Sequence, residues 1–342
     1  MVLVDPSEFP AARGYLDTAS VGIPPRRGLA ALRQAVDEWG SGRARPPDQD
    51  VHVDRARAAY ARLVGVQVED VAIGANVSSF AGTVAASLPH GAAVLLAEGD
   101  FTSMLFPFLV AERRGRIRVR HVPLDRLVDA IEPGTHLVAV SAAQSANGAV
   151  VDLDALASGA AASGARTFVD LTQAAGWLPV DASRFDWTAC GAYKWLLSPR
   201  GAAFFTSRRD RLDEVEPLLA GWYAGADPWA SIYGAPLRLA EDARRFDLSP
   251  AWLCWAGAAP AIELLADLGP ERIHEHVSAL ANSLREAVGQ KPSRSAIVAL
   301  DVAPERLRRA GVLGAGRAGA TRVGFHLYND ADDLESCLRA VA

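Results

Sequence analysis

Between residues 71 and 205 the chain alternates short apolar segments with helical stretches, and this rhythm restricts the fold more than any other feature. Residues 71–74, 94–97, 117–122, 137–140, 167–170, 187–190 and 202–205 read as strands. Helical patterns at 78–88, 101–112 and 153–163 separate several of them, with Pro107 as a break point in the second. Strands punctuated by helices indicate an α/β layered domain built on a mostly parallel sheet. Upstream, an arm through residues 15–20 leads into a Gly-Pro-Pro turn, and Leu29, Leu32, Val36 and Trp39 fall on one helical face. Residues 40–50 read as a polar loop and 54–64 as a second helix. From Trp252 the rhythm changes to helices at 255–268 and 271–288, a strand at 296–300, a short helix, a strand at 321–327 and a last helix from 331. The expected organisation is therefore a large α/β domain, residues 1–251, and a small α+β domain, residues 252–342.

Half of the residues are hydrophobic and 22% are charged, as in a folded globular protein. The net charge of -5 and the scattered arginines give no reason to expect nucleic-acid binding. Cys190, Cys254 and Cys337 show no metal-ligand spacing and suggest a reducing, cytoplasmic setting. No secretory leader or membrane span is expected.

Among 35 basic side chains only two are lysines, Lys194 and Lys291. Arginine serves wherever a generic cation suffices, but its guanidinium stays protonated and cannot form an imine. Lysine can, once its amine is desolvated. Lys194 sits in the apolar sequence Gly191-Ala192-Tyr193-Lys194-Trp195, 24 residues beyond Asp170, which ends a strand. Carboxyl ends of parallel strands converge on one ligand crevice. An aspartate and a lysine delivered there suit the two poles of a pyridine ring. Ser78, at a helix start, offers a hydroxyl and free N–H groups to a phosphate, and Phe101 offers a ring above the cofactor. Taken singly, Asp170 and Ser78 also read as helix caps and Phe101 as core.

The stretch Val169-Asp170-Leu171-Thr172-Gln173-Ala174-Ala175-Gly176-Trp177, followed by Gly191-Ala192-Tyr193-Lys194-Trp195-Leu196-Leu197-Ser198-Pro199-Arg200-Gly201, resembles the core of class V aminotransferase-fold enzymes, on the cysteine desulfurase-like and isopenicillin N epimerase-like branch. The resemblance spans nearly the whole chain. It implies pyridoxal 5'-phosphate (PLP) as cofactor, the PLP-dependent transferase fold type I with a mostly parallel seven-stranded sheet between helices, an amino-acid substrate and a homodimer. By the same resemblance Lys194 carries the cofactor as a Schiff base, Asp170 pairs with the ring nitrogen, and Gln173 hydrogen-bonds the phenolate oxygen. Ser78 and Ser79 mark the phosphate site, and Tyr193 replaces a histidine that often precedes the lysine. Ser249, after Arg245-Phe246, corresponds to a phosphate ligand supplied by the partner subunit. Arg322 corresponds to the clamp on the substrate α-carboxylate, catalytic together with Lys194, Asp170 and Phe101.

Three departures bear on the reaction. Phe101 stands where desulfurases carry a stacked histidine, so it can stack but cannot move a proton. Residues 311–320, the segment that carries the desulfurase nucleophile, contain no cysteine. Ser145 stands where relatives often place an asparagine, with Asn147 two residues away as the alternative. His326 reads either as a proton-transfer group on the face of Arg322 or as a core histidine. The expected reaction is α-proton abstraction followed by β-elimination of the C–S lyase type, without a persulfide-forming cysteine. Epimerisation, transamination and a noncatalytic PLP-binding relic are the alternatives.

Overall fold

The computed structural model describes residues 3–341. A seven-stranded sheet lies at its centre, built from β1 (Val71–Gly74), β2 (Ala92–Ala97), β3 (Ile117–Val122), β4 (Thr135–Ser141), β5 (Arg166–Asp170), β6 (Trp187–Gly191) and β7 (Ala203–Ser207). Its order is β1-β7-β6-β5-β4-β2-β3. Strands β3, β2, β4, β5 and β6 pair in parallel, and β7 is antiparallel to both of its neighbours, β6 and β1. Reversal of β7 alone leaves the carboxyl ends of β1, β2, β4, β5 and β6 on one edge.

Alternate residues point to opposite faces of a strand, and here both faces are covered. Val94, Leu96, Leu137, Ala139, Phe168 and Phe205 pack with α3 (Val77–Ser87) and α4 (Thr102–Arg113). Leu95, Ala97, Val138, Val140, Val169 and Phe204 join the core with α2 (Pro46–Val64), α5 (Leu153–Ser163) and the C-terminal elements. Burial on both faces explains why these strands read as continuous apolar runs.

The C-terminal elements are α6 (Trp252–Leu268), α7 (Pro270–Ala287), β8 (Ile297–Leu300), α8 (Pro304–Arg309), β9 (Ala315–Arg317), β10 (Ala320–Gly324) and α9 (Ala331–Val341). Strands β8, β10 and β9 form a small antiparallel sheet. Helix α6 packs against α1 (Arg26–Gly40) and α2, so its contacts tie it to the N-terminal helices. The N-terminal arm adds to the small sheet, with bridges from Tyr15 to Leu313 and from Asp17 to Gly324.

Four local expectations need correction. Helix α4 runs unbroken through Pro107, because Met104, Leu105, Phe108 and Ala111 bury its inner face and outweigh one lost backbone hydrogen bond. Helix α2 starts at Pro46, inside the expected loop, with proline in the first turn where its missing N–H is not needed. Helix α1 buries Gly28 and Ala35, while Val36 and Trp39 are exposed, because close packing on Gly257 of α6 favours its small-residue line. Strand β10 ends at Gly324, so strand alternation does not carry His326 onto the face of Arg322.

Candidate active site

Lys194 follows β6 in a loop held between two glycines. A Cβ on Gly22 would lie 2.0 Å from the Lys194 carbonyl oxygen, and one on Gly176 would lie 2.4 Å from that of Trp195. Gly176 also has φ of +106°, a conformation glycine adopts without steric cost. The Gly22 N–H donates to the Tyr193 carbonyl at 2.9 Å. His326 sits behind this loop with its Nε2 2.9 Å from the Trp195 carbonyl oxygen. It is fully buried, and burial pushes its pKa down to about 4. His326 is therefore a neutral core group that supports the lysine loop.

The Lys194 side chain is buried at the edge where the parallel strands end. Its Nζ lies 5.1 Å from the centroid of the Phe101 ring and 5.5 Å from that of Tyr193. Burial pulls the amine pKa down to about 8, with Asp170 opposing and the guanidinium groups of Arg322, Arg200 and Arg317 reinforcing the shift. Asp170, at the end of β5, is buried, and loss of water pushes its carboxyl up to about 6. The Thr172 N–H donates to Asp170 Oδ1 at 2.8 Å and favours the ionised form. The Thr172 hydroxyl accepts from Gly191 N–H at 2.8 Å, fastening β6 to the Asp170 turn.

Gln173, Ser145 and Arg322 form one network. Gln173 Nε2 donates to Ser145 Oγ and to the Ala19 carbonyl, each at 3.0 Å. Its Oε1 accepts from Trp195 Nε1 at 2.7 Å. Arg322 Nη1 donates to the Ser145 carbonyl and, at 3.1 Å, to Ser145 Oγ. Arg322 Nη2 reaches Ser20 Oγ at 2.8 Å, and Asp17 Oδ1 lies 3.9 Å away. Arg322 Nε is buried without a protein partner. Asn147 instead accepts from Ala149 N–H at 3.0 Å and turns an exposed loop, so Ser145 and not Asn147 lines the lysine cavity.

At the start of α3, Asn76 rather than the two serines reaches the lysine cavity. Ala75, Asn76 and Val77 line the cavity that holds Lys194, together with Tyr193 and Arg200. Asn76 caps α3, accepting from Ser79 N–H at 3.0 Å and from the Ser78 hydroxyl at 2.8 Å. Ser78 borders the adjoining apolar groove between α3 and α4, and the Ser79 hydroxyl donates to the Asn76 carbonyl. Neither serine lines the lysine cavity. Asparagine is a favoured N-cap, and that signal places the helix start at Asn76. Arg200 also escaped assignment. Its guanidinium carbon stacks 3.9 Å from the Tyr193 ring centroid. Asp100 was missed as well. It is buried and ties the Phe101 backbone at 2.6 Å to the Ser141 N–H at 2.7 Å, fixing the ring at the start of α4.

Ser249 is exposed and lies outside the cavity of its own chain. The neighbouring Asp247 is fixed by a buried ion pair, with Arg57 Nη2 2.7 Å from Asp247 Oδ2, and also accepts from Ile73 N–H at 2.7 Å. Leu248 N–H donates to the Ile73 carbonyl at 3.0 Å. The segment bearing Ser249 is thereby locked to the end of β1.

These residues fit PLP. A desolvated amine, a buried carboxylate on the same strand edge, an aromatic ring beside the amine and the open first turn of α3 match its aldehyde, ring nitrogen, ring face and phosphate. Bound there, the cofactor supplies an electron sink for carbanion chemistry. Lys194 would carry it, with Asp170 toward the ring nitrogen and Asn76, Val77 and Tyr193 toward the phosphate.

The aminotransferase class-V family model matches residues 51–312. A probable cysteine desulfurase of Aeropyrum pernix is 29% identical over 94% of this chain and 87% of its own length. A kynureninase of Deinococcus radiodurans is 30% identical over 79% of this chain and 69% of its own. A structure of the cystine C–S lyase C-DES with cysteine persulfide has a TM-score of 0.87 at 21% identity, covering 97% of both chains, and shares the fold. With its seven-stranded sheet and this lysine-centred site, the chain belongs to the class V aminotransferase family, whose cofactor is pyridoxal 5'-phosphate.

Proposed function

We propose that this protein is a PLP-dependent lyase that eliminates a sulfur leaving group from the β-carbon of an α-amino acid. The observation that carries this reading is the absence of a thiol at the site. Residues 311–320 lead into β9 and run through the tight turn to the first residue of β10; they hold Arg317 and no cysteine. Cys190 and Cys337 are buried, burial raises all three cysteine pKa values, and none of the three lines the cavity of Lys194. Direct expulsion of the leaving group needs none. Lys194 takes the α-proton while Arg322 holds the α-carboxylate. The Cβ–S bond breaks, its electron pair leaves with sulfur, and water converts the unsaturated amine to a keto acid and ammonia.

Epimerisation needs a second acid or base opposite Lys194. The Tyr223 hydroxyl donates to Asp50 at 2.9 Å, Tyr233 is exposed, and His326 is locked behind the lysine loop, which favours elimination. The homodimer and the contribution of Ser249 to the partner's phosphate site belong to the same proposal.

The test is product analysis by mass spectrometry with L- and D-amino acids, including cysteine, cystine and S-alkylcysteines, in deuterated water. Keto acid together with released thiol or sulfide is the expected result. Deuterated amino acid with inverted configuration and no thiol would replace the lyase reading with epimerisation.

A further inference from the structure

The β9–β10 hairpin presents two arginines side by side. Arg322 lies opposite Ala315 and Arg317 lies opposite Ala320. Directly opposed residues share a face, and alternate residues along a strand share one too. Arg317 and Arg322 therefore project from the same face two rungs apart, as diagonal neighbours with backbones roughly 7–8 Å apart. The two-residue turn between the strands fixes this register. Ala318 has φ of 47° and Gly319 has φ of 83°, the double left-handed geometry of a tight hairpin turn.

The two guanidinium groups meet at Ser20, whose Oγ accepts from Arg322 at 2.8 Å and from Arg317 at 3.3 Å. Arg322 is buried beside Ser145 and Gln173, whereas Arg317 is exposed at the outer end. Among the described residues Arg317 has no carboxylate partner. The single nearby acid, Asp17, lies toward Arg322, and both arginines help to stabilise its ionised form against the cost of burial. Asp17 thus lies beside Arg322 alone, and Arg317, which donates to Ser20 and at 2.8 Å to the Gly316 carbonyl, is left open to solvent.

We propose that Arg317 recognises a second anionic group on the substrate, so that the site takes amino acids whose side chain ends in a carboxylate or a similar anion. This rests on the reading of Arg322 as the α-carboxylate clamp and names the substrate class of the same site. Arg322 holds the inner carboxylate, and Arg317 holds the outer one at the mouth. In the lyase reaction the outer anion travels on the leaving sulfur, as in an S-carboxyalkyl cysteine. A planar guanidinium suits a carboxylate in two-pronged geometry, and the hairpin presents it without the mobility of a long loop.

The experiment titrates the PLP-loaded protein with L-aspartate against L-asparagine and L-glutamate against L-glutamine, reading affinity from the absorbance of the bound cofactor. These pairs differ by one charge at nearly constant shape. In at least one pair the acid should bind about tenfold tighter than the amide, the scale of one charge-assisted hydrogen bond. Arg317→Gln should abolish that preference and leave amide binding within about twofold. Arg322→Gln should weaken all four ligands. The proposal is overturned if neither pair shows a preference, if the preference survives Arg317→Gln, or if Arg317→Gln weakens acids and amides alike. That last outcome would assign both arginines to the α-carboxylate. Because affinity is read without turnover, a failure to release thiol would remove the lyase reading and leave this comparison intact.

Discussion

At the scale of single residues, the site depends on what burial does to two ionisable groups. Lys194 has its pKa lowered to about 8, so the folded protein favours the neutral amine. The stability contributed by this group is present above the ordinary lysine value and is lost as pH falls through about 8. Asp170, raised to about 6, contributes stability fully present below the ordinary aspartate value and lost as pH rises through about 6. The cost of holding both groups at the strand ends is a chemical poise that a solvent-exposed pair lacks. Trapping of PLP on Lys194 of the apoprotein by borohydride, followed by peptide mass analysis, should rise with pH about a midpoint near 8. Asp170→Asn should shift the midpoint lower, because the carboxylate is the group that favours the lysine cation. A midpoint at the unperturbed value of about 10.4 would contradict the desolvation argument. Lys194 and Asp170 were both legible in the sequence, since each has a residue type that its chemistry demands. Arg317 was not, because its meaning lies in sharing Ser20 with Arg322.

At the scale of elements, strand β1 and the segment before α6 are joined by the buried Arg57–Asp247 pair. Arg57 Nη1 lies 3.1 Å from Asp247 Oδ1 and its Nη2 2.7 Å from Oδ2, while Nη1 also donates to the Val71 carbonyl. Removal of one partner leaves a buried charge without compensation. Arg57→Ala should therefore destabilise the protein by about 3–5 kcal/mol in urea unfolding, whereas an exposed pair contributes at most about 1 kcal/mol. A loss under about 1 kcal/mol would mean that water or another group solvates Asp247. Most strands were legible because burial on both faces leaves a short apolar run. Strand β9, with the sequence Ala315-Gly316-Arg317, was not, because its pairing with β10 rather than its composition makes it a strand. Helix α1 shows the reverse failure. Its apolar periodicity was correct as a helix signal, but packing selected the neighbouring small-residue line.

At the scale of the whole molecule, the proposed homodimer would bring Ser249 to the phosphate site of the partner subunit. The Ser249 segment is fixed to β1, yet the hydroxyl lies outside its own lysine cavity. Ser249→Ala should weaken PLP retention by roughly tenfold, the scale of one hydrogen bond to a charged group, with little change in unfolding. Equilibrium dialysis of the cofactor measures the first and urea denaturation the second. Unchanged PLP affinity would remove Ser249 from the phosphate site. Sedimentation of the holoprotein as a monomer would remove the shared site altogether. No helix among the described residues is long and apolar enough to cross a membrane.

The amino-acid sequence by itself determined the layered α/β class, the Lys194 and Asp170 pair and the missing nucleophile of residues 311–320. Each is written in local composition or in the identity of one side chain. Only the tertiary structure decided that Asn76 rather than Ser78 lines the lysine cavity, that Ser145 rather than Asn147 joins Gln173 and Arg322, and that His326 supports the lysine loop. These choices depend on contacts between segments as far apart as Ser145 and Arg322, which are 177 residues distant in the chain. Long-range hydrogen bonds and burial select among residues that are chemically equivalent in sequence, and that selection exists only once the strand ends have been brought to one edge.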